Sequence, residues 1–119
     1  MRFCSARKGD HMKFHVEELA VQLVGTLRPL VPRIRRHDRS LADQLVRAAS
    51  SIALNIAEAQ YSDPGTRKAR FHTAAGSANE TRTALRIGVA WGYFAEPEAA
   101  AAAALLEQIV PTLWKLARG

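Results

Sequence analysis

The residues best suited to nucleophilic or metal chemistry are one cysteine and four histidines, and their spacing favours neither. Cys4 stands alone, and a catalytic nucleophile needs a base within hydrogen-bonding reach. No local spacing pairs a histidine with a serine or an aspartate. His11 and His15 are four residues apart, as two metal ligands on a helix are, but no third ligand stands nearby. We therefore predict no catalytic residue and no metal site. The other two histidines are His37 and His72.

Sequence motifs that hold cofactors are also absent. A di-iron helical bundle uses Glu-x-x-His pairs on two of its helices, and the chain contains no such pair. It has neither the glycine-rich dinucleotide fingerprint nor a P-loop. We expect a protein that is not an enzyme and binds no cofactor. A small-molecule or metal site inside the fold is the least favoured alternative.

Several polar side chains interrupt segments that are otherwise apolar at helical spacing. Asn55 lies between Ile52 and Ile56, so it borders a core stripe, and a buried amide without a hydrogen bond costs about 1–3 kcal/mol. Glu58 follows one turn later. We predict one polar layer between two helices and favour a network that fixes helix register over a ligand site. Its predicted members are Arg47, Asn55, Glu58, Ser77, Glu80 and Arg82.

Two arginines are the expected cationic partners in this layer. An arginine donates in a bidentate fork to a carboxylate, which makes Arg47 and Arg82 candidates for Glu58 and Glu80. Arg82 stands at the edge of an apolar stripe, so both an ion pair and a subunit interface would explain it.

The chain is strongly basic, with a net charge of +6 at 119 residues and an isoelectric point near 10.2. A surplus of this sign suits RNA or DNA as a partner, although scattered lysines and arginines also serve as ordinary solvated surface. In the fold predicted below, the clustered cations fall at two opposite ends. The candidate nucleic-acid-binding residues are Arg33, Arg35, Arg36, Arg39, Arg67, Lys68 and Arg70.

Apolar residues recur every three or four positions in four segments, and no segment alternates with period two. The first stripe is Val16, Leu19, Ala20, Leu23, Val24 and Leu27. The second is Leu41, Leu45, Ala48, Ala49, Ile52 and Ile56. The third is Phe71, Ala74, Ala75, Ala78, Leu85 and Val89. The fourth is Leu105, Leu106, Ile109, Leu113 and Leu116, with Pro111 expected to kink the helix.

Turn signals separate these segments. The predicted connections are a basic stretch over residues 33–39 that ends at Ser40 as an N-cap, a turn over 63–65 with Thr66 as the cap, and a link over 92–97 that places Pro97 at a helix start. Four helices with short connections predict an all-α fold, an up-and-down antiparallel four-helix bundle. We assign residues 12–119 to this single domain and residues 1–11 to a disordered extension.

Three short segments give the chain a resemblance to a known family. Residues 44–48 match a QLRRA-like element, residues 51–58 a SI-x-x-NIAE element and residues 76–80 a GS-x-x-E element. Together they resemble the bacterial four-helix bundle proteins encoded in intervening sequences of 23S rRNA genes. The resemblance, which extends to accessory proteins of diversity-generating retroelements, implies a homopentamer with a basic surface suited to nucleic acid. The chain departs from the family pattern at Ala59, at Thr81 and in the turn that follows Ala59.

Cysteine usage and hydropathy point to a reducing compartment. One cysteine permits no internal disulfide, and the sequence shows neither a secretory signal nor a span-length apolar run. We expect a cytoplasmic protein without a membrane partner. Surplus apolar residues on the fourth helix, together with Trp91, Tyr93, Phe94 and Trp114, suggest a subunit interface. The alternative is that Trp114 and Tyr93 only cap the bundle's own ends.

The leading hypothesis is a non-enzymatic homo-oligomeric bundle that binds RNA or DNA through phosphate contacts. The alternative is a structural or protein-interaction module whose basic charge is incidental.

Overall fold

The chain is helical throughout the part that the computed structural model describes, which is residues 8–119, with side chains from residue 11 onward. This part contains no strand. Its elements are α1 (Lys8–Leu27), α2 (Val31–His37), α3 (Arg39–Ala59), α4 (Pro64–Trp91), a 3₁₀ helix (Glu96–Ala99) and α5 (Ala100–Arg118). The extension predicted over residues 1–11 therefore overlaps the start of α1, and its residues 1–7 lie outside the described residues.

The stretch predicted as a basic connection forms the additional helix α2, so the described chain has five α-helices instead of four. Pro32 lies in the first turn of α2, where a missing backbone N–H is tolerated. Ile34 is fully buried and attaches this otherwise basic helix to the core. The connection prediction was wrong because a single apolar residue among arginines gives too weak a periodic signal.

The N-caps of α3 and α4 are aspartates, and they differ from the capping residues that the sequence predicted. Asp38, not Ser40, caps α3, because its Oδ1 accepts the backbone N–H of Leu41 at 2.9 Å. Asp63, not Thr66, caps α4 and accepts the backbone N–H of Thr66, also at 2.9 Å. Both true caps stand earlier in the sequence than the predicted ones, and each helix begins earlier as a result.

The helices pack in a closed order in which α3 contacts α4, α4 contacts α5, α5 contacts α1 and α1 contacts α3, while α2 lies on α3. The side-chain pairs Asn55–Arg70 and Ser51–Ser77 show that α3 and α4 run in opposite directions. Their interface is the most extensive in the described chain.

The predicted apolar stripes form the core, with few exceptions. Every member of the second stripe is buried. Val24 of the first stripe is 40% exposed, which contradicts its assignment to the core. The largest fully buried apolar side chains are Val16, Leu23, Ile34, Leu45, Ile52, Ile56, Phe71, Leu106, Ile109 and Leu113.

The end of α4 is shaped by two glycines. Gly92 adopts a left-handed conformation, φ 79°, and ends the helix. One turn earlier, Gly88 faces the buried ring of Phe94, and a Cβ at Gly88 would lie 2.5 Å from the Cε1 atom of that ring. The chain after α4 can therefore fold back closely, and Pro97 falls in the 3₁₀ helix, ahead of the first turn of α5.

None of the helices over residues 8–119 combines the length and the apolar character that crossing a membrane would require.

Candidate nucleic-acid interface

The polar layer between α3 and α4 is centred on Ser51, which was not among its predicted members. The Ser77 hydroxyl donates to the Ser51 Oγ at 2.9 Å. The Asn55 amide donates to the Oγ and to the carbonyl oxygen of the same serine, each at 2.9 Å. Three side chains from two antiparallel helices thus satisfy one another. The i, i+4 spacing of Ser51 and Asn55 is the signal that could have revealed the bridge.

Of the predicted charged members, only Glu58 reaches this layer, and its cation is Arg70 instead of Arg47 or Arg82. Arg70 approaches Glu58 at 3.6 Å and donates to the Asn55 Oδ1 at 3.4 Å. Arg82 donates to Asn79 one turn away on its own helix, at 2.7 Å. The remaining predicted members, Arg47 and Glu80, are exposed.

Thr81, one of the departures from the family pattern, is fully buried without leaving its hydroxyl unpaired. Its Oγ1 donates to the carbonyl oxygen of Ser77 at 2.8 Å. A threonine can make this bond to the preceding turn of its own helix, so it substitutes for an apolar residue at little cost.

Two arginines of α2 are neutralised inside the chain. Arg33 forms an ion pair with Glu98 of the 3₁₀ helix. The hydrogen bond from Arg33 and the backbone N–H of Ala95 hold the pKa of Glu98 below its ordinary range, and the same pair raises the pKa of Arg33. Arg35 pairs with Asp43 at 2.5 Å. Neither arginine offers its full charge to an external partner.

The cationic cluster at the opposite end of the molecule is also partly engaged. Arg67 is half-buried and donates to the carbonyl oxygens of Ala59 at 3.3 Å and Ser62 at 3.0 Å, which ties the α3–α4 turn together. Arg70 belongs to the polar layer described above. Lys68 is exposed. Two of the three candidates at this end therefore have structural roles.

Arg36 and Arg39 remain as the available cations at the junction of α2 and α3. Both are exposed, and neither side chain forms a hydrogen bond or an ion pair with any residue that the structure describes. The nearby carboxylates are already occupied, since Glu98 is paired with Arg33 and Asp43 with Arg35. This junction is the strongest candidate for contact with a polyanion.

The same junction is joined to the loop after α4. The His37 and Tyr93 rings stack with centroids 5.1 Å apart and planes 5° apart. The Tyr93 hydroxyl donates to the Asp38 Oδ2 at 3.2 Å. Partial burial, together with this bond, raises the pKa of Tyr93. The backbone between the two free arginines is therefore fixed relative to the end of α4.

The aromatic residues predicted to form an interface separate into packed and exposed groups. Phe94 is buried, Tyr93 is half-buried, and the half-buried Trp114 packs edge-on against His72 at 5.0 Å. Trp91 is 70% exposed. Tyr61, at the other end of the chain's long axis, is 87% exposed. Packing within the chain accounts for Tyr93, Phe94 and Trp114, and leaves Trp91 unexplained.

Surplus apolar surface lies mainly on α1 and α3, instead of on the fourth predicted helix. Val21, Val24, Val46 and Leu54 are 54%, 40%, 40% and 65% exposed. A shallow groove of about 330 Å³ separates the two helices at this face. Gly25 lines this groove, and a Cβ added to it would have no atom within 4 Å. On the last helix, by contrast, Val110 and Leu113 are buried.

A second groove of about 670 Å³ lies between α4 and α5. Its lining includes alanines of the 3₁₀ helix and α5, the cations Arg82 and Arg86 of α4, and the carboxylates of Glu96 and Glu107. No group of three or more potential metal ligands occurs within the described residues.

Comparison with known proteins identifies a family and a similar fold. A family model for the 23S rRNA-intervening sequence protein matches residues 12–115. No curated protein matches the chain. The fold is similar to the crystal structure of a protein with unknown function from the S23 ribosomal protein family of Bacteroides thetaiotaomicron, with a TM-score of 0.80 and 18% sequence identity. The similarity covers 91% of this chain and 99% of that chain. At this identity it supports the helical fold alone.

Proposed function

Because the chain belongs to the 23S rRNA-intervening sequence protein family, we propose that it is a non-enzymatic, homo-oligomeric helical protein that binds RNA or DNA. In this proposal α1, α3, α4 and α5 form an up-and-down antiparallel bundle, and the protein acts in the cytoplasm. Binding is electrostatic, through phosphate contacts, and does not depend on base sequence.

The observation that carries this proposal is the pair of exposed, unpaired arginines at the α2–α3 junction. Arg36 and Arg39 stand on either side of His37 and Asp38, which the Tyr93 loop holds in place. The backbone that carries the two arginines is therefore fixed, so binding a phosphate costs less backbone conformational entropy. Arg33 and Arg35 can contribute positive charge to this junction only by exchanging their carboxylate partners for phosphate.

Titration of labelled RNA and duplex DNA with the full chain at several salt concentrations tests the proposal. Binding should weaken linearly on a log–log scale as salt rises. The double variant Arg36→Gln, Arg39→Gln should lose most of the affinity. Lys115→Gln with Arg118→Gln is the matched control, because it removes the same charge from exposed cations at the far end of the chain. Absence of binding at about 50 mM salt, or equal loss in both double variants, would refute the proposed site.

The oligomeric part of the proposal is supported by the exposed valines and leucine on α1 and α3. A monomer gains nothing from leaving these side chains in water, whereas a subunit interface buries them. The family resemblance implies five copies, and five chains of 13.1 kDa would give a particle of about 65 kDa. Light scattering of the wild type and of Leu54→Glu checks this: the variant should shift to smaller species, and Glu80→Gln, an exposed change on α4, should not.

The same apolar face favours the alternative, a structural or protein-interaction module with incidental charge. The two hypotheses differ in the result for Arg35→Glu with Arg36→Glu. Loss of nucleic-acid retention with an unchanged oligomer supports nucleic-acid binding. An oligomer that never retains RNA or DNA at low salt supports the interaction module.

A further inference from the structure

We propose that Trp91 is a stacking platform for a base of single-stranded nucleic acid, with Arg36 and Arg39 holding the adjoining phosphates. The inference rests on the proposed nucleic-acid function and deepens it, since it names the form of nucleic acid and the side chain that recognises it. The shared chemistry is an unpaired base beside phosphates, which single-stranded RNA and single-stranded DNA both supply.

The exposure of Trp91 is the first observation behind this inference. Its side chain is 70% exposed, and it takes part in no ring contact with any residue that the structure describes. The other tryptophan, Trp114, is half-buried and packs against His72. An indole ring offers a wide flat surface on which a base of any sequence can stack.

The second observation is that the backbone beneath Trp91 is held from both sides. Gly92 adopts its left-handed conformation directly after Trp91, and the backbone N–H of Tyr93 donates to the carbonyl oxygen of Gly88 at 2.9 Å. The next residue, Phe94, is buried against Gly88. The backbone that carries the indole is therefore fixed, which reduces the entropy lost on binding.

The third observation links the platform to the cations through Tyr93. Tyr93 follows Trp91 by two residues, so their Cα atoms are at most about 7.6 Å apart. Tyr93 itself contacts His37 and Asp38, the two residues between Arg36 and Arg39. An exposed aromatic ring next to unpaired arginines is the combination that single-strand binding proteins use. In a duplex the bases are stacked on one another, and this platform would find no free base face.

Tyr61 shows why exposure alone is not sufficient. It is more exposed than Trp91, at 87%. However, the two arginines that follow it most closely in the sequence are engaged, Arg67 with the carbonyl oxygens of Ala59 and Ser62, and Arg70 with Glu58. Tyr61 therefore serves as the control for an exposed aromatic side chain whose neighbouring arginines in the sequence are engaged.

The test is fluorescence anisotropy of labelled oligonucleotides of about 12 nucleotides, as single-stranded RNA, single-stranded DNA and the corresponding duplex, with the full chain. The wild type should bind single strands more tightly than the duplex. Trp91→Ala should weaken single-strand binding by about 5- to 150-fold, the range measured for one base stacked on an aromatic ring, and should change duplex binding little. Trp91→Phe should retain most of the affinity, and Tyr61→Ala should bind as the wild type does. Comparison of the RNA and DNA arms identifies the natural strand.

Two further measurements separate the possible failures. Quenching of tryptophan fluorescence by the single strand should persist in Trp114→Phe and disappear in Trp91→Phe. The salt slope for single strands should fall by about 1.4 in Arg36→Gln with Arg39→Gln, because each phosphate contact contributes about 0.7.

Binding that is equal for single strands and duplex, and unchanged in Trp91→Ala, overturns the platform but leaves nucleic-acid binding intact. If the wild type binds neither form at low salt, the proposed function itself fails.

Discussion

Tyr93 donates its hydroxyl to the Oδ2 atom of Asp38 at 3.2 Å, while the Oδ1 atom of the same carboxylate accepts the backbone N–H of Leu41. One side chain thus caps α3 and fastens the loop after α4 to it. The two residues are 55 positions apart in the sequence, so this link closes one end of the molecule.

The two roles of Asp38 predict a graded loss of stability. Asp38→Ala removes the cap and the link, and the cap alone is worth about 1 kcal/mol, which lowers the Tm of a domain of this size by roughly 4 °C. Tyr93→Phe removes only the link and keeps the ring that stacks on His37, so its Tm should fall less. Thermal denaturation followed by circular dichroism at fixed protein concentration measures both. Asp38→Asn, which can still cap the helix, should recover much of the loss, and equal Tm values for Asp38→Ala and Tyr93→Phe would contradict the cap.

Two helical glycines should respond oppositely to substitution by alanine. Gly88→Ala places a methyl group 2.5 Å from the buried ring of Phe94, and such overpacking typically costs about 1–3 kcal/mol. Gly76 meets no atom within 4 Å, so Gly76→Ala should stabilise the chain by up to about 1 kcal/mol through helix propensity. Urea denaturation of the two variants measures the sign of each change in the free energy of unfolding. Stabilisation by Gly88→Ala would show that Phe94 can move away at no cost.

The Ser51 bridge predicts that the polar layer behaves as a unit. Ser51→Ala removes the hydroxyl that accepts from both Ser77 and the Asn55 amide, and each such hydrogen bond contributes about 0.5–1.5 kcal/mol. The Asn55 amide keeps its second acceptor, the Ser51 carbonyl oxygen. Ser77→Ala should cost less, because Asn55 still satisfies Ser51. The double variant should be less destabilised than the two single variants added together. Additive losses in chemical denaturation would show that the three side chains act independently.

The sequence predicted the helical fold and most of the core because the apolar stripes of the long helices are regular. The second stripe is buried at every position. The match of residues 51–58 to the family pattern agrees with the family assignment. Short helices are harder to predict from apolar periodicity. α2 has one fully buried side chain, Ile34, and its burial depends on tertiary packing that periodicity does not describe.

The candidate site was less predictable, because charge pairing is a tertiary property. Sequence reasoning grouped seven cations by sequence proximity, but their availability depends on distant partners such as Glu98, which is 65 residues from Arg33. Arg67 and Arg70 stand beside a turn, where their donors reach backbone and side-chain acceptors of the preceding helix. The exposure of Trp91 likewise depends on how the chain turns at Gly92.

The cap of α4 predicts a component of stability that depends on pH in the acidic range. The backbone N–H of Thr66 and its hydroxyl both donate to Asp63, and they lower the pKa of this carboxyl below its ordinary value of 3.8. Near that pH the unfolded chain therefore binds more protons than the folded chain, and stability rises with pH. The contribution is complete above the ordinary pKa and is lost as the pH falls through the lowered one.

Asp63→Asn isolates this component. The asparagine oxygen can still accept the Thr66 N–H, but it carries no titrating proton. Between about pH 5 and pH 2.5 the Tm of the variant should therefore decrease less steeply than that of the wild type, while at pH 7 the two should lie close together. Asp63→Ala, which lacks the cap at every pH, should already be less stable at pH 7. Parallel curves of Tm against pH for the wild type and Asp63→Asn would mean that the acid sensitivity arises elsewhere. The next carboxylate to test would then be Glu98, because its pKa is also lowered.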